Sequence, residues 1–522
     1  MSRRATPPEK NLLFATRLKM AQQNQTESPD DKPPPGPPTV DQLIDLALAN
    51  LSAESSPLPA NQNAGLAASS SEPARISNPL LRAVHRDPQY ALAHNRHGFA
   101  LASQGRFEEA IRQFDEAISI NPNYAPAYNN RGYAHAAMKH YDGAISDFNQ
   151  AIRLDPGFAA ACNNRALAYT AERKYEQAIA DATAAINLDG QLALAYHNRG
   201  FALAALGRYD EAIGDFNHCI RLAPRTANAY HNRGFAFTAK GDYDHALTDY
   251  DSELRIRPKF AYGHYNRGFV HVAKGEFDSA NQDFCEAIRL QPSFADAYYN
   301  RGDVYRAKGD YEQAVADYGE AIRHDPQFLL AYYHRGEVHY ACRRFEEAIA
   351  DFDVMICLRP TLAAAFNGRG LVLVAQAKHD RAIADFCEAI RLDPKYAAAY
   401  NSRAAAHAAQ GNYEQAIVDH IEAIRINPKV AEVYGDFARL WLADPTGTAT
   451  GGQLAVELAT RACELTGWSD WNSLSTLAAA CASIGDFPAA TRWAEQAWAI
   501  APENEKAARR LELQAYQEKM NS

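Results

Sequence analysis

Arg131 and Asp147 stand sixteen residues apart, and the same spacing returns at Arg165/Asp181, Arg199/Asp215, Arg233/Asp249, Arg267/Asp283, Arg301/Asp317, Arg335/Asp351, Arg369/Asp385 and Arg403/Asp419. A guanidinium grips a planar carboxylate through two parallel hydrogen bonds. Each Arg is therefore expected to hold its Asp as a structural salt bridge. The alternative is an Arg ladder for anionic ligands, which the matched Asp would largely neutralise. An amide precedes six of these arginines: Asn130, Asn164, Asn198, Asn232, Asn266 and Asn300. An amide both donates to and accepts from an extended peptide backbone, so this ladder could clamp a peptide. It could equally bond within the scaffold, for instance to a neighbouring repeat. Aromatic rings keep the same step. Phe201, Phe235, Phe269 and Tyr265 are followed by Tyr299, Tyr333 and Tyr340, with Asp303, Arg306 and Glu337 beside them. Rings with a polar border are what binding hot spots use, and packing between repeats is the other reading.

Covalent and metal chemistry leave no comparable trace. G-x-S-x-G, H-E-x-x-H, G-x-G-x-x-G and G-x-x-x-x-G-K-[ST] do not occur. His135, His271, His339 and His407 share one slot on a buried helix face and read as core histidines rather than metal ligands. The eight Cys, among them Cys162, Cys219, Cys285 and Cys387, include no C-x-x-C and read as free thiols of a reducing cytosol. The expectation is a cytoplasmic protein that is not an enzyme and needs no cofactor or metal. A net charge of −10 argues against nucleic acid or an anionic membrane as the main partner. No apolar run reaches the ~18 residues of a membrane span, and Leu12 to Ala15 is too short for a signal peptide.

What positions these residues is a repeat of 34. One copy, Ala193 to Thr226, carries Tyr196, Asn198, Arg199, Gly200, Gly207, Tyr209, Ala212, Phe216 and Pro224. Counting Ala91 as slot 1, ten such units fill residues 91–430. A fixed period of this size means stacked supersecondary units, a solenoid. Each unit is expected to hold helix A over slots 2–14 and helix B over slots 17–31. Slots 4, 7, 8 and 11 would then pack on helix B, and slots 2, 5, 6, 9, 12 and 13 would face the opposite way. Slots 18, 22, 25 and 29 of helix B would form a solvated face, with Glu286/Arg289, Glu388/Arg391 and Glu422/Arg425 on it.

The large, small, aromatic and Pro residues at slots 4, 8, 11, 17, 20, 24, 27 and 32 resemble the tetratricopeptide repeat. The resemblance covers about two-thirds of the chain; its departure is Arg for the family's Leu at slot 7. It implies an all-α solenoid of about twelve helix-turn-helix repeats, wound into a right-handed superhelix with helix A lining the concave face. With its Asn ladder the array is similar to the repeat arm of O-linked N-acetylglucosamine transferase, where such a ladder clamps peptide, but no catalytic domain follows here. Some family members hold a chaperone's carboxy-terminal tail through Lys at slot 5 and Asn or Arg at slot 9. This chain has none of these there, which argues against that partner.

Residues 1–75, with Pro33, Pro34, Pro35, Pro37 and Pro38, have the composition of a disordered arm. The proline run reads as a linker, with a polyproline ligand as the alternative, and Val40 to Leu51 could form a short amphipathic helix. Residues 76–90 resemble a half repeat. After residue 430 the pattern decays into a degenerate repeat over 431–467, with an insertion between its helices. A better copy over 468–503 and a capping helix over 504–522 follow. The functional expectation is a scaffold that binds extended peptide segments or partner proteins in the concave groove. The alternative is a substrate-selecting or regulatory subunit of an enzyme acting in trans.

Overall fold

The computed structural model describes residues 88–443 and 449–521. The arm, the proline run, the helix expected at 40–51 and nearly all of the half repeat lie outside them, as do residues 444–448 of the insertion. The described residues are helical throughout their regular elements, and they fall into two compact units divided between Val304 and Tyr305.

The first unit is built of antiparallel pairs. In repeat 4, Ala193–Ala205 pairs with Tyr209–Leu222; in repeat 5, Ala227–Lys240 with Tyr243–Ile256; in repeat 6, Ala261–Lys274 with Phe277–Leu290. Helix A thus starts at slot 1, and helix B ends at slot 30. Between the helices slot 15 turns the chain in the left-handed region, with Gly207 at φ 76° and Gly241 at φ 79°. Glycine is the residue that adopts this without strain. Lys139, Arg173, Arg343 and Ala377 take the same turn at φ 58–62° without that freedom.

Slot 8 is glycine because slot 24 is aromatic. A Cβ on Gly200 would stand 2.9 Å from the Phe216 ring, and one on Gly132 would stand 2.8 Å from Phe148. In repeat 3 the ring is absent, Ala182 fills slot 24, and slot 8 is Ala166. The pair changes together because one volume is shared between the two helices.

The buried arc of helix A differs from the expected face of slots 4, 7, 8 and 11. Slots 3, 8 and 10 are the deepest, as at Ala195, Gly200 and Ala202, while Tyr196 and Arg199 at slots 4 and 7 are only half-buried. The reason is that each helix A packs on two helices, its own helix B and that of the preceding repeat. A helix gripped on two sides buries a wider arc than a helix lying on one surface.

In the second unit the same pairing runs from Tyr311–His324 through Tyr413–Ile426. Beyond it, Ala431–Ala443 pairs with Ala449–Leu465, and Trp471–Ser483 with Phe487–Ile500. Helix Glu503–Asn521 lays Leu513 and Tyr516 against Ala478 and Ala494, and its outer side is mostly polar, with Leu511 and Met520 exposed among the polar residues.

Candidate functional site

Three ladders run along helices A, and each has its own geometry. The first is made by slots 7 and 23. Arg233 Nε and Nη2 donate to Asp249 at 2.8 and 2.6 Å, and the same fork joins Arg131 to Asp147, Arg199 to Asp215 and Arg267 to Asp283. In the second unit it joins Arg335 to Asp351, Arg369 to Asp385 and Arg403 to Asp419. Arg301 and Asp317 belong to different units and stay an expectation of the repeat pattern. Except at Arg335, which faces Gly319, each of these guanidinium groups also reaches slot 25 of the preceding repeat, where Arg233 donates to Asn217, Arg267 to Asp251 and Arg403 to Cys387 Sγ. The ring at slot 4 lies beneath it, Tyr230 at 5.7 Å from Arg233. The slot 23 carboxylates are buried, and the guanidinium is a rivet between three helices rather than a site for an anion.

The second ladder corrects an expectation. The amides of slot 6 bond to slot 5 of the preceding repeat. Asn130 donates to Asn95, Asn164 to Asn129 and Asn198 to Asn163, at 2.9–3.0 Å. Asn232 donates to His197 Nε2, Asn266 to His231 Nε2 and Asn300 to the Tyr265 hydroxyl. Asn198, Asn232, Asn266 and Asn300 are buried. These four amides are closed off from water and serve as mortar between helices A, while Asn130 and Asn164 are half-buried. Tyr265 and Tyr299, expected to offer their rings to a ligand, are also buried, at 5% and 1% exposure. Tyr265 packs on Phe284 and Phe294. Slot 5 faces the next helix A rather than open space, because the stacked helices A touch along slots 5 and 6.

The third ladder stays accessible. Phe201, Phe235 and Phe269 at slot 9 are half-buried, and small Ala205, Ala239 and Ala273 lie four residues on. Phe235 rests edge-on against Tyr209 at 6.5 Å. At slot 5 of the second unit Tyr333 is half-buried against Phe352, and burial pushes its hydroxyl well above its ordinary pKa, so it stands with Tyr265 and not with this ladder.

One buried network went unread in the sequence. Slot 27 is Ala in seven of the ten repeats, Cys219 and Met355 in two more, and Glu253 in repeat 5. Glu253 is fully buried. It accepts from His231 Nδ1 at 2.8 Å and from Arg257 Nη2, while Arg257 lies over the Phe260 ring. Slot 3 of the next repeat, Ala elsewhere in the described repeats from the second onward, is Gly263, whose Cβ would meet Leu254 at 2.8 Å. The signal was the one acidic residue in an otherwise small, apolar slot. Among the described residues no group of three or more His, Cys, Asp or Glu could hold a metal ion.

Family models for the TPR repeat match residues 98–139 and 302–342. Models for the tetratricopeptide repeat match 125–158, 159–192, 191–259, 265–318 and 367–431, so that together more than half of the chain is matched. The chain belongs to the tetratricopeptide-repeat family. No curated protein matches it. Among solved structures it is similar to yeast Tom70, at 17% identity and TM-score 0.45, over 83% of this chain and 96% of that one. It is also similar to Cut9 with Hcn1 of the APC/C, at 14% identity and TM-score 0.37, over 76% and 98%. A third is YrrB, a TPR protein with an unusual peptide-binding site, at 21% identity and TM-score 0.32, over 36% and 97%. As an array of this family the chain is a protein-interaction scaffold, of a fold that is typically non-catalytic. No described helix is long and apolar enough to cross a membrane.

Proposed function

We propose that the helix-A face of repeats 2 to 6 binds extended apolar segments of partner proteins. The observation that carries this is the row Phe201, Phe235 and Phe269, one half-buried ring per repeat, on the face that the inter-repeat bonds leave to solvent. Leu194 and Tyr262 at slot 2 widen it, and both are half-buried. With the amides engaged between repeats, recognition falls to side-chain pockets rather than to a backbone clamp. Aromatic side chains gain most from burying a partner's apolar groups. The cysteine pattern supports a reducing, cytosolic setting for this binding.

The test is a displayed peptide library selected on the full chain. Selected peptides should be rich in apolar residues. Phe235→Ala and Phe269→Ala should each weaken them by about thirtyfold, the ~2 kcal/mol of a hot-spot ring. Arg289→Ala, which removes an exposed pair with Glu286 on helix B, should change nothing. Peptides that tolerate both Phe changes and lose binding with Arg289→Ala would move the site to the helix-B face.

A further inference from the structure

We propose that the helix-A face of repeats 4 to 6 takes the chain's own proline run, Pro33–Pro35 with Pro37 and Pro38, as a polyproline-II segment; this rests on that face being the peptide-binding one. Charge selects this occupant. Across repeats 2 to 6, slots 2, 5, 6, 9, 12 and 13 hold no Asp, Glu, Lys or Arg, and charge returns with Arg96 of repeat 1 on one side and with Asp296, Asp303 and Arg306 of repeat 7 on the other. A charged side chain entering that stretch would lose its hydration and meet no counter-ion. The run from Pro33 to Pro38 is itself uncharged, and Lys32 and Asp41 lie outside it.

The step of the row selects the conformation. Ladder bonds such as Asn198 to Asn163 at 2.9 Å keep successive helices A in side-chain contact. Helices in such contact have axes about 8–10 Å apart. A polyproline-II helix has three residues per turn and rises ~3.1 Å per residue, so residues on one side recur every ~9.3 Å. Pro34 and Pro37 are three apart, as are Pro35 and Pro38, so one pair places its rings against two successive rows while the other lies a third of a turn away. A β-extended segment repeats a side every ~6.8 Å and falls out of step within one repeat. Proline rings on aromatic faces need no hydrogen bond from the groove, and none of its ladder amides is offered.

The chain outside the described residues is long enough. About fifty residues separate Pro38 from Pro88, where the first described helix begins. At ~3.3 Å per residue they reach up to ~165 Å. The five steps from repeat 1 to repeat 6 cover ~45 Å. The run therefore acts as a tethered competitor for the same rows that take partner segments.

A labelled peptide of residues 31–41 is titrated by fluorescence anisotropy against the full chain and against a full chain with Pro34, Pro35, Pro37 and Pro38 changed to Ser. A tether supplies ~1 mM of effective concentration. The wild type should therefore bind the peptide more weakly than the serine chain by a factor of about one plus that concentration over the Kd measured on the serine chain, which is about tenfold for a Kd of ~0.1 mM. Adding Phe201→Ala or Phe235→Ala to the serine chain should remove most of that difference. Equal affinities for the two chains, or indifference to both Phe changes, would overturn the proposal. A difference that grows with protein concentration would place the run on a second copy and overturn the tethered arrangement. If the peptide fails to bind the serine chain while library peptides bind and depend on Phe235, the proline run is rejected and the peptide-binding face stands.

Discussion

Replacing Arg233 by Leu should destabilise repeat 5 more than replacing Arg233 and Asp249 together. Asp249 is 2% exposed, and both of its oxygens accept from Arg233, whose side chain is 19% exposed. Removing one partner of a buried pair strands the other charge and costs about 3–5 kcal/mol. The guanidinium edge is reached by some water, so a value near the lower end, about 3 kcal/mol, is expected. Arg233→Leu with Asp249→Leu removes the stranded carboxylate and leaves apolar side chains in its place. The remaining losses are the bond to Asn217 and the stacking on Tyr230. These are worth about 1–2 kcal/mol together. A long array need not unfold in two states, so the assay is native-state hydrogen exchange of the amides in Ala227–Lys240 and Tyr243–Ile256. Urea melts of the same variants support it. A double variant that exchanges as fast as the single one, or faster, would refute the account of Asp249 as a stranded charge.

Burial holds His197 and His420 down to a pKa of about 4. The unfolded chain takes up these protons near pH 6.5 and the folded chain refuses them, so stability is full above 6.5 and falls as pH drops towards 4. About 2 kcal/mol per histidine should be gone by pH 5, and melts at pH 7 and 5 should show His197→Asn, which renews the amide ladder, losing less than wild type. Arg343→Gly should stabilise the turn of repeat 8 by about 1 kcal/mol, because glycine takes φ 58° without a Cβ clash; an unchanged or lower melting point would show that the turn carries no strain. Gly200→Ala should cost about 1–3 kcal/mol against the Phe216 ring, while Ala166→Gly in repeat 3, where no ring faces it, should cost no more than glycine's helix penalty of about 1 kcal/mol.

The repeat, its length and its helix pairs were legible because a 34-residue period repeats every structural requirement. Gly at slot 8 answers the ring at slot 24, and the slot 15 turn recurs even where Lys139 or Ala377 must strain to make it. The Arg and Asp partners were legible for the same reason, since two residues that change together across repeats occupy one place in space. Helical angle alone misassigned slots 5 and 6. It places Asn232 and Tyr265 on the side away from helix B, which is correct for an isolated pair. The next helix A stacks on that side and closes over them.

Sequence by itself determined the class of fold and the salt-bridge spine, because both depend on contacts within one repeat or at a fixed offset from it. Only the tertiary structure decided which polar groups remain for a partner. Whether an amide is a clamp or mortar depends on how far the next repeat approaches. That distance is set by the small residues at slots 3, 8 and 10 packed between two helices B, not by the amide's own position. Glu253 makes the same point from the other side. In sequence it is one acid among many. In the fold it is a buried carboxylate held by His231 and Arg257, and Gly263 of the next repeat leaves room for its neighbour Leu254.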